Sequence, residues 1–298
     1  MKFIEPQVEW WQQTTLAQHI ARVGRICYKA KGKQPEEGMT EEEVEAFIQK
    51  RDEERCRGFW ESGHRSMLRH GTVYFFMPNE RGLPNHIWAY LEASPYINYA
   101  TKNHKVWFST NTQFALEHED MMNVLSQYGV SEDEFIEKAL KYECEEAFSI
   151  IRMTMVVTTQ ISTSRELNRT SPNSIAEQST RYCNLEKKGG VQIARPHWHE
   201  EGSRWQRFVY GLVCRVCEWG YNRLLKAGLK PQDARGVLPL DTYTVVAYTY
   251  TLSDWSHILD LRFHGKTGTP HPNAKMIGEK IRNIIIERMR QYCDEFDI

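Results

Sequence analysis

The 298-residue sequence contains no apolar run long enough to span a bilayer, and its opening, Met1-Lys2-Phe3-Ile4-Glu5-Pro6, lacks the basic-then-apolar layout of a signal peptide. Its formal net charge of -1 comes from mixed signs with no one-signed block, which gives no electrostatic reason to expect a nucleic acid or a membrane surface as partner. No internal repeat and no low-complexity linker is evident, so a single domain over 1–298 is expected, opening with a helical N-terminal extension. Paired cysteines are also missing. The seven thiols, at 27, 56, 144, 183, 214, 217 and 293, are odd in number and scattered, which excludes a disulfide framework and fits a reduced, cytoplasmic setting. Cys214-x-x-Cys217 has no second Cys pair nearby, and His197-x-His199 has no carboxylate or Cys companions at matching spacing, so no metal site is expected.

Apolar residues make up 41% of the chain and aromatics 12%, enough for a sizeable packed core. One-face spacing of Leu16, Ile20, Val23 and Ile26 predicts an N-terminal helix, and Thr40 with Glu43 a capping box for a charged one running toward Arg57. Thr72–Met77, Lys105–Ser109, Met153–Ile161 and Tyr243–Leu252 read as strands. A Tyr/Asn-rich loop follows a helix over Asn85–Ala93. Thr112–Tyr128 and a segment from the Ser131-x-x-Glu134 cap to about Ile150 are expected to be helical. Trp205, Phe208, Val209, Leu212, Val213, Val216 and Leu224 mark a long amphipathic helix, closed by Gly228 and Pro231, whose stripe is a core or a subunit face.

The chemistry concentrates between Glu166 and Tyr182. Arg169 and Arg181 each offer a planar fork of donors suited to phosphate, and Ser171, Ser174, Ser179 and Thr180 add hydroxyls at short range. Glu177 supplies an acceptor for a ring N–H or a sugar hydroxyl. Pro172 and its small neighbours break any helical period, so the segment reads as a loop leaving a short helix, Ser164–Arg169. Composition alone is equally compatible with a solvated Ser/Thr-rich connection. Cys183, next to Arg181-Tyr182, has no local His to activate it and reads as a packing residue.

The spacing of this segment resembles the signature of the flavin-dependent thymidylate synthases, R-H-R-xxxxxxx-S-x-R-Y. Arg169, Ser179, Arg181 and Tyr182 are in register, while Thr170 and Ser171 stand where that family has His and Arg. Three further elements follow in family order. Gly63-His64-Arg65-Ser66-Met67-Leu68-Arg69-His70 is similar to G-H-x-S-x-L-E-H, with Arg69 replacing the acid. Ala234-Arg235-Gly236-Val237-Leu238-Pro239 resembles A-R-x-V-L-P, and Trp255–Arg262 a closing helix that carries L-R.

The resemblance implies an α+β fold with a twisted, mainly antiparallel sheet flanked by helices, and a homotetramer with sites shared between subunits. It implies reductive C5-methylation of dUMP, with methylenetetrahydrofolate as carbon donor and FAD reduced by NADPH. Carried over position by position, Arg262 is the catalytic cation. Arg169, Ser179, Thr180 and Arg181 hold phosphate, Arg235 and Glu177 the base or sugar, and Glu166 a pyrimidine edge. His64, Ser66, Arg69, Thr170, Ser171, Thr251 and His257 face the flavin, with Arg69 expected to take over part of its phosphate contact. Ser253 stands where an Arg is usual. Two other readings stay open: a related flavoenzyme that acts on another uridine nucleotide or transfers another one-carbon group, and a non-catalytic pyrimidine-nucleotide-binding protein that has lost flavin.

Overall fold

The computed structural model describes residues 1–298 apart from 80, 82, 171–173 and 295, and apart from the side chain of Lys188. Helices alternate with antiparallel strands that form two four-stranded sheets. In the first the order is Gln7–Trp10, Arg152–Gln160, Tyr243–Thr251, Ile175–Glu177; in the second it is Ile97–Lys102, Lys105–Asn111, Thr72–Met77, Gly129–Val130. A parallel pair, Lys2–Ile4 with Gln192–Ala194, forms a separate two-stranded sheet that touches the end of the first through an Ile193–Thr242 bridge. The fold is therefore α+β, with two antiparallel sheets in place of the one expected.

Alternation along each central strand explains how both faces are used, since successive side chains point to opposite sides. Tyr74 and Phe76 join the main core with Trp107, Met153, Met155, Val157, Tyr248 and Tyr250, against the closing helix Pro272–Arg290. Phe75 and Met77 pack the other way, on Ile87, Leu91, Phe108, Phe114 and Leu125. Val156 and Ala247, on the back of the first sheet, meet Val23 and Ala176. Burial on both faces is why these strands read as nearly continuous apolar runs.

The N-terminal helix Leu16–Tyr28 is capped by the Thr15 side chain, and the helix Glu41–Glu61 by the reciprocal Thr40/Glu43 box. The two cross closely at Gly24, where a Cβ would come within 2.3 Å of the Phe59 ring. Three expectations need correction. The Tyr/Asn-rich stretch is a strand, Ile97–Lys102, turning into Lys105–Asn111 through Asn103 and His104, both at positive φ (50° and 61°), the geometry of a two-residue hairpin turn without its usual glycine. The helical stretch Thr112–Tyr128 is broken into Thr112–Glu117, Glu119–Leu125 and a short 3-10 turn, Ser126–Tyr128. The helix after Ser131 stops at Lys141, near Glu143 with φ 54°, and resumes as Glu145–Ser149. Of the two readings of the stripe on the helix Arg204–Lys226, core or subunit face, core holds only toward its C-terminal end, where Leu224 packs against the buried cluster of Cys214 and Tyr221; Trp205 is 70% exposed, and Phe208, Leu212, Val213 and Val216 are exposed with it. Among the described residues no helix is long and apolar enough to cross a membrane, and no group of His, Cys, Asp and Glu could hold a metal ion.

Candidate functional site

The short helix Ile161–Asn168 leaves the end of the Arg152–Gln160 strand and ends at Arg169, where the signature begins; the second half follows the edge strand Ile175–Glu177. A polar network ties the two together. The Glu177 carboxylate accepts from the Ser164 hydroxyl (2.8 Å), the Thr244 hydroxyl (3.0 Å) and the Asn168 amide (3.3 Å), and the Asn168 carbonyl accepts from the Tyr248 hydroxyl (2.8 Å). Glu177, expected to meet the ligand, thus spends three acceptor positions on fixing the helix against the sheet.

Beyond Glu177 the chain turns sharply. The Ser179 hydroxyl oxygen accepts from the backbone N–H groups of Arg181 (3.1 Å) and Tyr182 (3.3 Å), a local side-chain turn that leaves its own proton to donate outward. The Thr180 hydroxyl accepts from Arg235 Nη1 (2.9 Å), and Arg235 Nε donates to the Gln232 carbonyl (3.1 Å). Arg181 Nε donates to the Gln232 side chain (3.3 Å), so two exposed guanidiniums flank one glutamine. Arg235 lines a cleft of about 360 Å³ together with Arg165, Thr180, Gly236 and the Leu238–Leu240 turn, with no acid among its lining residues. Charge and hydroxyl donors there suit a phosphate. Arg165 was not expected from the sequence; its only signal is a basic residue one turn before Arg169.

Arg262 belongs to a different group. It is half-buried on the π-helical turn Asp260–His264, and its Nε donates to the Glu166 carbonyl (3.1 Å), while the neighbouring Arg169 is exposed at the helix end. The structure therefore pairs Glu166 with Arg262 and Thr180 with Arg235, and brings no contact between the two pairs within one chain.

The residues expected at a flavin are scattered. Exposed His64 Nδ1 lies 3.1 Å from the Ser62 hydroxyl, and Ser66 and His257 are exposed on separate helices. Arg69 Nε donates to Gln113 (2.8 Å) and its guanidinium lies over Tyr96, beside Glu117 and His118. Thr170 donates back to the Leu167 carbonyl (2.9 Å), and Ser171 lies outside the described residues. Thr251 has another job: it is buried, and its hydroxyl donates to Asp254 (2.7 Å) while accepting the Asp254 N–H (3.1 Å), a capping box for the helix Leu252–Leu259. A flavin diphosphate needs convergent free donors, and within one chain Arg69 Nε, Thr170 and Thr251 spend theirs on Gln113, the Leu167 carbonyl and Asp254, so these side chains do not by themselves fit the group. Cys183 is fully buried, its thiol 3.8 Å from the Cys27 carbonyl, which agrees with a packing role.

A buried chain of hydrogen bonds, of which the sequence singled out only His70, joins the N-terminal helix to His70 through Thr154 and Thr249 of the first sheet. His19 Nε2 lies 2.9 Å from the Thr154 hydroxyl, Thr154 2.7 Å from the Thr249 hydroxyl, and Thr249 2.8 Å from His70 Nδ1. Arg152 Nη2 donates to the carbonyls of Arg69 (3.0 Å) and Thr249 (3.3 Å). Burial, with Arg22 and then Arg152 adding positive charge, pushes His19 down to about 4. Burial, with His19 and Arg152 nearby, pushes His70 down to about 3.

Among the solved structures that resemble the chain are two of the UMP/dUMP methylase PolB from Streptomyces cacaoi. The one bound with 5-Br dUMP is 21% identical, with 61% of this chain and 88% of that chain covered and a TM-score of 0.42. The one bound with 5-Br UMP is 21% identical, with 64% and 86% covered and a TM-score of 0.42. No curated protein matches the sequence significantly. The family model described as thymidylate synthase complementing protein matches residues 97–289, which contain the helix, the Ser179 turn, Arg235 and Arg262, and the chain belongs to that family.

Proposed function

We propose that the protein methylates C5 of a uridine nucleotide, dUMP in the first instance. The observation that carries this reading is the acid-free cleft in which Arg235 is held by Thr180, next to Arg181, on a signature segment whose Arg169, Ser179, Arg181 and Tyr182 are in register with the family pattern. In this reading Arg169, Ser179, Thr180 and Arg181 hold the phosphate, Arg235 and Glu177 meet the sugar or base, and Glu166 meets a pyrimidine edge. Arg262 pairs with the pyrimidine oxygens and stabilises the ring's anionic form, its N3 proton released to solvent, and in that electron-rich form C5 is nucleophilic while the guanidinium itself transfers no proton. Its half-burial, with Nε already fixed on a carbonyl, leaves the terminal nitrogens of the fork to do this.

The two arginine groups are separate in one chain, and the exposed stripe of the Arg204–Lys226 helix is suited to burial against another copy. A homotetramer with shared sites accounts for both, and for the dispersal of the residues assigned to the cofactor. FAD reduced by NADPH, with methylenetetrahydrofolate, is the proposed supply of hydride and carbon, in a cytoplasmic enzyme acting as one domain. Arg262→Lys tests the central role: turnover should fall by an order of magnitude or more with dUMP affinity nearly kept, because an ammonium retains charge but not the planar fork. Unchanged turnover removes Arg262 from the mechanism. A second reading, nucleotide binding without flavin chemistry, is favoured by Thr251 acting as a helix cap and Arg69 turned onto Gln113. A colourless purified protein that binds dUMP and yields no methylated product by mass spectrometry would establish it.

A further inference from the structure

Beyond the uridylate cleft, a larger cavity of about 710 Å³ lies where the N-terminal helix meets the back of the first sheet. Its volume is in the range of small-molecule sites, roughly 300–1,000 Å³. Four cations line it, Arg22, Arg25, Lys29 and Lys31, together with the rings of Trp11 and Tyr243, and no lining residue is acidic.

An acid outside the lining reaches Arg22: Glu9, whose carboxylate accepts from the Trp11 indole N–H (3.1 Å). Arg25 pairs with Asp52, but the same carboxylate also takes Arg51 at 2.8 Å, so one acid serves two guanidiniums. Arg22 lies 4.2 Å over the Trp11 ring and donates to the Gln12 carbonyl (3.0 Å), while its Nε is buried with no hydrogen-bond partner. Lys29 ends the helix in the left-handed region (φ 45°, ψ 46°), a position that favours glycine, yet it carries an ammonium 5.0 Å from the Tyr243 ring. Flat walls with cations across them match a ring that bears an anionic group.

This cavity shares no lining residue with the cleft at Thr180 and Arg235, and its cationic residues all precede residue 97, where the family match begins. It is nonetheless coupled to the signature. Gln178 lines it and accepts from the Tyr243 hydroxyl (3.2 Å), and the next residue, Ser179, donates its backbone N–H to the Cys27 carbonyl (2.9 Å) in the N-terminal helix. We propose that this cavity is a second ligand site, for a nucleotide-class anion whose phosphates are held by Arg22, Arg25, Lys29 and Lys31 and whose ring lies against Trp11 and Tyr243. The proposal rests on the cavity alone and does not depend on the methylation reading.

Calorimetric titration of the full chain with ATP and with UTP, free of divalent metal and with saturating dUMP present, tests it; inorganic tripolyphosphate is the ringless control. Lys29→Gly suits the local backbone, and Lys31→Glu alters an exposed residue outside helix and strand, so neither should impair folding; thermal melts check this. At least one nucleotide should bind at one site per chain, about tenfold to a hundredfold more weakly in each lysine variant and with unchanged affinity in Arg181→Ala. Tripolyphosphate should bind at least tenfold more weakly than the nucleotide. The proposal is overturned if neither nucleotide binds, if both lysine variants bind as the wild type does, or if tripolyphosphate binds equally well. It is also overturned if the lysine variants lose dUMP instead, which would make this cavity the uridylate's own; the methylation reading fails separately, if wild-type protein binds no dUMP.

Discussion

Replacing Glu177 separates a ligand contact from a structural one. Its carboxylate accepts three hydrogen bonds, from Ser164, Thr244 and Asn168, and bonds to a charged acceptor are worth about 1.5–3 kcal/mol each. They share one anchor and are not additive, and Glu177 is only half-buried, so solvent recovers part of the loss; the expected cost of Glu177→Ala is about 3 kcal/mol. For a chain of this length, at about 2 °C per kcal/mol, that is a fall of about 6 °C in melting temperature. Glu177→Gln should cost less, about 1–2 kcal/mol, for a specific reason. Its amide nitrogen would face the Asn168 amide, donor to donor, and Asn168 cannot flip without giving up the Tyr248 hydroxyl held at 2.8 Å. Thermal unfolding of both variants followed by circular dichroism, beside dUMP titration, is the assay. The reasoning is refuted if Glu177→Ala melts within 1 °C of the wild type, and a selective loss of dUMP affinity in Glu177→Gln at unchanged stability would return Glu177 to the ligand.

Arg181→Ala and Arg235→Ala should each weaken dUMP binding by about 1.5–3 kcal/mol with little change in melting, since both side chains are exposed; unchanged affinity in calorimetry would move the phosphate elsewhere. Acid should destabilise the protein early. His19 and His70 are held neutral in the fold, at about 4 and about 3, and take up protons near 6.5 when unfolded. The unfolded chain therefore binds more protons below pH 6.5, and stability falls by about 1.4 kcal/mol per pH unit for each histidine as pH drops toward 4. His70→Gln should flatten that slope in denaturant titrations between pH 6.5 and 4, and an unchanged slope would mean that His70 protonates in place. Val213→Glu puts a charge at the centre of the exposed stripe and should lower the oligomeric mass in light scattering; a mass unchanged from the wild type would show that this face is not an interface.

Local rules carried much of the fold. Thr40 with Glu43 and Ser131 with Glu134 mark helix starts because the cap bonds are made within four residues, and Asn85–Ala93 follows from Pro84 and its periodicity. The four apolar runs became strands because burial on both sheet faces demands such composition. The Ile97–Lys102 strand was hidden because its turn uses Asn103 and His104 at positive φ, where the expected signal is glycine. In the site, spacing alone put Arg169, Ser179 and Arg181 in register with a known signature. It could not tell what each side chain touches, because hydrogen-bond partners come from distant parts of the chain: Arg235 reaches Thr180 across 55 residues, Arg262 reaches Glu166 across 96, and Thr244 reaches Glu177 across 67. Whether the helix stripe is core or surface was likewise open, since periodicity fixes which residues share a face and only tertiary packing decides what that face meets.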